Sequence, residues 1–182
     1  MTEFTLHTQE SAPEAAKPLL ENSIKSFGMI PNLHAVMAEA PPFLEGYQTL
    51  HNLAQQTSFD AEELTVVWQT INVEHACHYC VPAHTGIAHS MKVNSEITDA
   101  LRNETPLPTK LEALRTVTLA IVRERGVVGD DVLNAFFAAG YEQKNVLEVL
   151  LILSQKVMSN YVNHIAKTPV DAPFKAFVWE KK

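Results

Sequence analysis

Cys77, Cys80 and His84 are the residues of this sequence best suited to chemistry. The two cysteines are the only ones in the chain, three positions apart, and His84 follows Cys80 by four. On an α-helix those offsets put all three side chains on one face, about one turn from each other. A thiol pair with an imidazole stacked against it is a redox or a metal constellation. A zinc reading takes Cys77, Cys80, His84 and one further ligand, although such sites more often use two separated pairs and only one pair exists here. Covalent haem needs a histidine directly after the second cysteine, where Val81 stands.

Pro82 locates the pair. Proline is tolerated in the first turn of a helix and costs roughly 3 kcal/mol inside one. A helix is therefore expected to begin near Cys77 or His78, with the pair at its N-terminus. Unpaired N–H groups and the positive end of the dipole favour a thiolate there. A free thiol is only about 3% ionised at pH 7, and a pKa of roughly 6.5 raises that to about 75%. Cys80, with His84 one turn beyond to accept its proton, is expected to be the attacking thiol. Cys77, nearer the helix end, is expected to be the more exposed, resolving thiol that a reducing partner reaches. Residues three apart on a helix lie close enough for a disulfide, and closing so small a loop stabilises a fold by only about 2 kcal/mol. Such a bridge reads as a redox state rather than a staple.

The elements that must hold this stretch read as helices throughout. No segment shows sustained alternation with hairpin chemistry, so a thioredoxin-type βαβ unit is not expected. Ser11-Ala12-Pro13-Glu14 reads as a capping box opening a helix over 11–27, closed by Gly28. Further helices are expected at 32–39, 42–56, 95–103, 109–124, 130–139 and 142–166. Asp60-Ala61-Glu62-Glu63 is a second capping box, opening a helix over 60–75 that buries Leu64, Val67, Trp68 and Ile71. The tail after Pro169 reads as loop. Two long-helix-plus-short-helix units, 60–103 and 109–166, share a rhythm, and only the first carries cysteines. The 182 residues suit a single domain.

Cys77-His78-Tyr79-Cys80-Val81-Pro82-Ala83-His84 resembles the C-x-x-C-x-x-x-H signature of the alkyl hydroperoxidase D-like superfamily, which also contains carboxymuconolactone decarboxylases. The likeness covers about residues 42–125. Phe27-Gly28-Met29-Ile30-Pro31-Asn32 and Asn160-Tyr161-Val162-Asn163-His164 resemble its peroxidase-related branch. The resemblance implies an all-α, AhpD-like fold of roughly eight to nine helices, homo-oligomers from dimer to hexamer, and thiol peroxidase activity. It assigns attack on the hydroperoxide to Cys80, resolution to Cys77 and the motif histidine to His84. It implies a dithiol or a disulfide reductase as reducing partner, with no cofactor and no metal. Its relay glutamate falls at Thr65 and its second relay histidine at Tyr79. Glu62 and Glu74 are the carboxylates expected to substitute for the glutamate, and Tyr79 joins the catalytic set. The alternatives are a zinc-binding or redox-sensing oligomer, and a decarboxylase-like lyase, although the decarboxylases lack the cysteine pair.

Composition narrows the partners. A net charge of −7 disfavours nucleic acid and anionic membranes. Residues 1–5 carry neither a basic nor an apolar leader segment, and the most apolar run, 146–153, is too short to span a bilayer. A cytoplasmic location follows as the expectation, where a cysteine pair is catalytic or metal-binding more often than structural.

Overall fold

The computed structural model describes residues 4–181. Among them are nine α-helices and no strand. After a 3₁₀ turn (Glu14–Ala16) they are α1 (Lys17–Phe27), α2 (Asn32–Met37), α3 (Pro41–Ala54), α4 (Ala61–Glu74), α5 (Cys80–Ser90), α6 (Ser95–Asn103), α7 (Thr109–Arg123), α8 (Asp130–Ala138) and α9 (Gln143–Ala166). A 3₁₀ helix, Ala172–Phe177, follows. No helix of the described residues is long and apolar enough to cross a membrane.

The boundaries follow local chemistry. Asp60 caps α4 by accepting from the Glu63 N–H at 2.9 Å while the Glu63 carboxylate accepts from the Asp60 N–H. Gly28 ends α1 in the left-handed conformation, φ 72°, where a side chain would be strained. The expected box at Ser11 does not form. The Ser11 hydroxyl instead accepts from the Thr8 N–H at 2.9 Å, so it closes an upstream turn, and α1 begins only at Lys17.

Two apolar clusters organise the packing. In the first, α4 packs against α6, α7 and α9, burying Val67, Trp68, Ile71, Leu114, Ile121, Phe136, Val149 and Ile152. The second joins α1, α2 and α3 to the start of α5, and it contains Leu20, Leu33, Met37, Leu44, Tyr47, Cys77 and Cys80. The tail is not loop. Ala172–Phe177 lies on α5 and is fastened by Arg102, whose guanidinium donates to the Phe177 carbonyl at 2.9 Å. Gly86 permits this approach, because a Cβ there would lie 2.7 Å from the Phe174 ring.

Candidate active site

Helix α4 delivers the cysteines through a tight reversal. Ala76 takes the left-handed conformation (φ 50°), the Ala76 N–H donates to the Val73 carbonyl, and the Cys77 N–H donates to the Asn72 carbonyl at 2.9 Å. This is a Schellman end with alanine where glycine is usual, a strain of about 1 kcal/mol. Helix α5 starts at Cys80, three residues later than the earliest expected start, with Pro82 in its first turn. Cys77 closes that start. Its carbonyl accepts from the Val81 N–H at 3.1 Å and its sulfur from the Cys80 N–H at 3.2 Å. The cysteine pair thus sits at a helix N-terminus, with Cys77 and Cys80 within 2.8 Å of each other and both thiols free.

Neither thiol is exposed at the surface, and the one that faces open space is Cys80 rather than the expected Cys77. Cys77 is fully buried, whereas Cys80 lines a cavity of about 730 Å³ between α1–α3, α5 and the tail. The reason is the reversal at Ala76, which turns Cys77 back toward the end of α4.

The Cys80 sulfur is held from α9. Asn160 Nδ2 donates to it at 2.9 Å and Asn163 Nδ2 at 3.2 Å. The Asn160 amide is locked, because its second N–H donates to Asn72 Oδ1 at 3.0 Å while its oxygen accepts from His75 Nδ1 at 2.8 Å. Burial by itself pushes the Cys80 thiol up. A hydrogen bond from Cys77, the Lys156 ammonium and the two amides outweigh it and bring the pKa down to about 6. Burial raises Cys77, and the neighbouring Cys80 raises it further, so Cys77 stays a thiol.

His84 is buried and packs on Trp68, with ring centroids 4.9 Å apart. Its Nε2 lies 2.9 Å from Lys156 Nζ, which donates to it when the lysine is charged, and it makes no bond to Cys80. Burial, then the Lys156 charge, hold His84 well below the usual imidazole range, so it is neutral. His34 and His51 also line the cavity and are pushed down to about 3 and about 4, in both cases chiefly by burial. Tyr79 is a wall of the cavity whose hydroxyl donates to Asp171 and accepts from the Leu33 N–H at 3.3 Å. It ties α2 to the tail.

The two carboxylates lie elsewhere. Glu74 faces α7, where Arg123 grips it at 2.9 and 2.7 Å, and that guanidinium holds its carboxyl below the usual range. Glu62 is in the first turn of α4, roughly 18 Å from the cysteine end at 1.5 Å per residue. Neither lines the cavity. The structure therefore brings neither carboxylate to the cysteine pair: Glu74, one turn before Cys77, turns toward α7, and Glu62 lies at the far end of α4. Among the described residues no cluster of three or more His, Cys, Asp or Glu is placed to hold a metal.

Lys156 is not singled out by the sequence, and Asn160 and Asn163 enter there only through the family resemblance, with no site role. They share one face of α9 at i, i+4 and i+7, a spacing that also describes a solvated stripe. The signals available were the apolar run that precedes them on the same helix and the Asn160-Tyr161-Val162-Asn163-His164 stretch itself.

No family model matches the sequence, and no curated protein does. Solved structures match over nearly the whole chain. One is the alkylhydroperoxidase AhpD core, an uncharacterised peroxidase-related protein from Ralstonia eutropha JMP134, with 14% identity, 96% of each chain covered and a TM-score of 0.79. Another is an uncharacterised peroxidase-related protein from Silicibacter sp. TM1040, with 15% identity, 95% of each chain covered and a TM-score of 0.77. A third is a variant of the debrominase Bmp8 in complex with 2,3,4-tribromopyrrole, with 16% identity, 97% of this chain and 95% of that chain covered, and a TM-score of 0.79. The all-helical, AhpD-like architecture expected from the cysteine motif is therefore the fold of this protein.

Proposed function

We propose that this protein is a two-cysteine thiol peroxidase acting on organic hydroperoxides. The observation that carries the reading is the Cys80 sulfur, held by two amides on the wall of a 730 Å³ cavity with Cys77 within 2.8 Å. A pKa of about 6 makes Cys80 about 90% thiolate at pH 7. The thiolate attacks the terminal oxygen of the hydroperoxide, the O–O bond breaks, and the alcohol leaves after gaining a proton. The resulting Cys80 sulfenic acid condenses with the Cys77 thiol, giving a disulfide and water. An external dithiol, or a disulfide reductase, returns both thiols. Phe27, Phe174, Tyr47 and neutral histidines wall the cavity, which suits an organic group better than hydrogen peroxide alone. The reading includes a cytoplasmic homo-oligomer.

Purified protein with cumene hydroperoxide and dithiothreitol is expected to oxidise the dithiol catalytically, and Cys80→Ser is expected to abolish turnover. Wild-type protein that consumes no hydroperoxide with any dithiol sinks the proposal. A second reading, thiolate-driven removal of halogen from a small aromatic ring, is favoured by the likeness to Bmp8. Bromide release from a brominated pyrrole in the presence of dithiothreitol, faster than any hydroperoxide reduction, selects it.

A further inference from the structure

Lys156 is a lysine without a carboxylate. It is 1% exposed, and no ion pair joins it to an acid among the described residues. No aspartate or glutamate lines the cavity that it borders. An ammonium has three donors, and the acceptor found for this one is His84 Nε2 at 2.9 Å. Burying an unpaired charge costs several kcal/mol, so something nearby must offset it. The titratable groups around Lys156 are His51 from α3, His75 at the end of α4, His84 in α5, and the two thiols. The imidazoles are neutral. Among the described residues, the two cysteine sulfurs are the groups that favour the charged form of Lys156, and Cys80 is the thiol held as a thiolate. A second observation points the same way. With Nε2 accepting from Lys156, the proton of the neutral His84 ring is on Nδ1, and Nδ1 is buried with no protein partner among the described residues.

We infer that Lys156 is the proton reservoir of this site, acting through His84 as a positioning residue and alternating between ammonium and amine. The inference rests on the peroxidase reading above. In the reduced state the site holds a Cys80 thiolate, a Cys77 thiol and the Lys156 ammonium, with no net charge. When the thiolate takes the terminal oxygen of ROOH, sulfur is oxidised and the O–O bond is reduced. His84 Nδ1–H gives its proton to the departing RO⁻, and Lys156 replaces it at Nε2. The products are the sulfenic acid, ROH and an uncharged Lys156 amine, again with no net charge. That amine is the base that relieves the Cys77 thiol of its proton as it attacks the sulfenic acid, and the proton leaves with the hydroxyl as water. A dithiol then reduces the disulfide and supplies two protons: one restores the Cys77 thiol, and the other enters at His84 Nδ1 as Nε2 returns its proton to Lys156, which restores the ammonium and the starting tautomer. A buried site is thereby never asked to hold an isolated charge.

The test compares wild type with Lys156→Met and Lys156→Arg, reading the pH profile of Cys80 alkylation by iodoacetamide and the rate of sulfenic acid formation with cumene hydroperoxide. Lys156→Met is expected to slow alkylation at pH 7 about 10-fold, the effect of moving the thiol about two units up from about 6. Lys156→Arg keeps the charge but holds its proton, so alkylation is expected to stay within about twofold while sulfenic acid formation falls 10-fold or more. Thermal melts of both variants separate these effects from loss of fold, and Lys156→Arg decides alone if the methionine variant does not fold. An unchanged alkylation profile in Lys156→Met, or an unchanged peroxide rate in Lys156→Arg, overturns the inference. Wild-type protein that alkylates with a midpoint near 6 yet ignores hydroperoxides overturns the peroxidase reading and the proton delivery together. In that outcome Lys156→Met still decides whether the lysine sets the thiolate.

Discussion

The two halves of α9 are buried in the same molecule by opposite means. The N-terminal half inserts Val149 and Ile152 into the core that α4 and α7 share. The C-terminal half buries Gln155, Lys156, Ser159, Asn160 and Asn163. Apolar burial is worth about 25 cal/mol per Å² in any direction and tolerates substitutes of similar volume. Buried amides and an ammonium are tolerated only if each finds its partner, which fixes position as well as energy. Gln155 illustrates the second regime, accepting from Trp68 Nε1 at 2.9 Å while its amide reaches His51 Nδ1 at 3.1 Å. One half thus anchors the helix, and the other aims it at a sulfur.

That contrast can be broken at either end. The largest effect is expected from Ile152→Ala, which should cost about 2–5 kcal/mol in urea unfolding while leaving the alkylation midpoint of Cys80 in place. A moved midpoint would show that the halves are not separable. Asn160→Leu should do the converse. It removes one donor to the thiolate, worth about 1.5–3 kcal/mol, so the midpoint should rise from about 6 by about one to two pH units with the fold retained. No rise would mean that Asn160 only packs. The smallest effect belongs to Glu74→Gln, outside both halves. The Arg123 partner lowers the carboxyl in the folded state, so its stabilisation is present above the unfolded carboxylate range and is lost as pH falls through the folded value. Wild type and variant should differ by under about 1 kcal/mol at pH 7 and converge in acid, with Cys80 alkylation unchanged. Slower peroxide reduction in Glu74→Gln would restore that carboxylate to the relay.

The same contrast explains what the sequence made legible. Apolar periodicity located α4, α7 and α9, and local side-chain-to-backbone chemistry located the Asp60 box and the Gly28 end. Pro82 put the cysteine pair at the start of a helix. Ser11 misled because Thr8, a competitor three residues upstream, takes its hydroxyl. The partners of Cys80 were hidden for another reason. Asn160 and Asn163 lie 80 and 83 residues away, and a polar face on a helix looks the same in sequence whether water or a thiolate stands opposite it. Only the packing of α9 beside α5 distinguishes the two.

Gly86 carries a consequence for how the cavity can be reshaped. The ring of Phe174 rests where a Cβ would be, so one wall of the cavity is set by a contact between a hydrogen atom and a side chain from the tail. Sulfur reactivity is fixed on α9 and at the start of α5, while this wall is borrowed from a separate stretch of chain. Chamber size and the surroundings of the sulfur are therefore set by separate stretches of chain: exchanging Phe174 resizes the chamber and leaves Cys80, its amides and its lysine untouched.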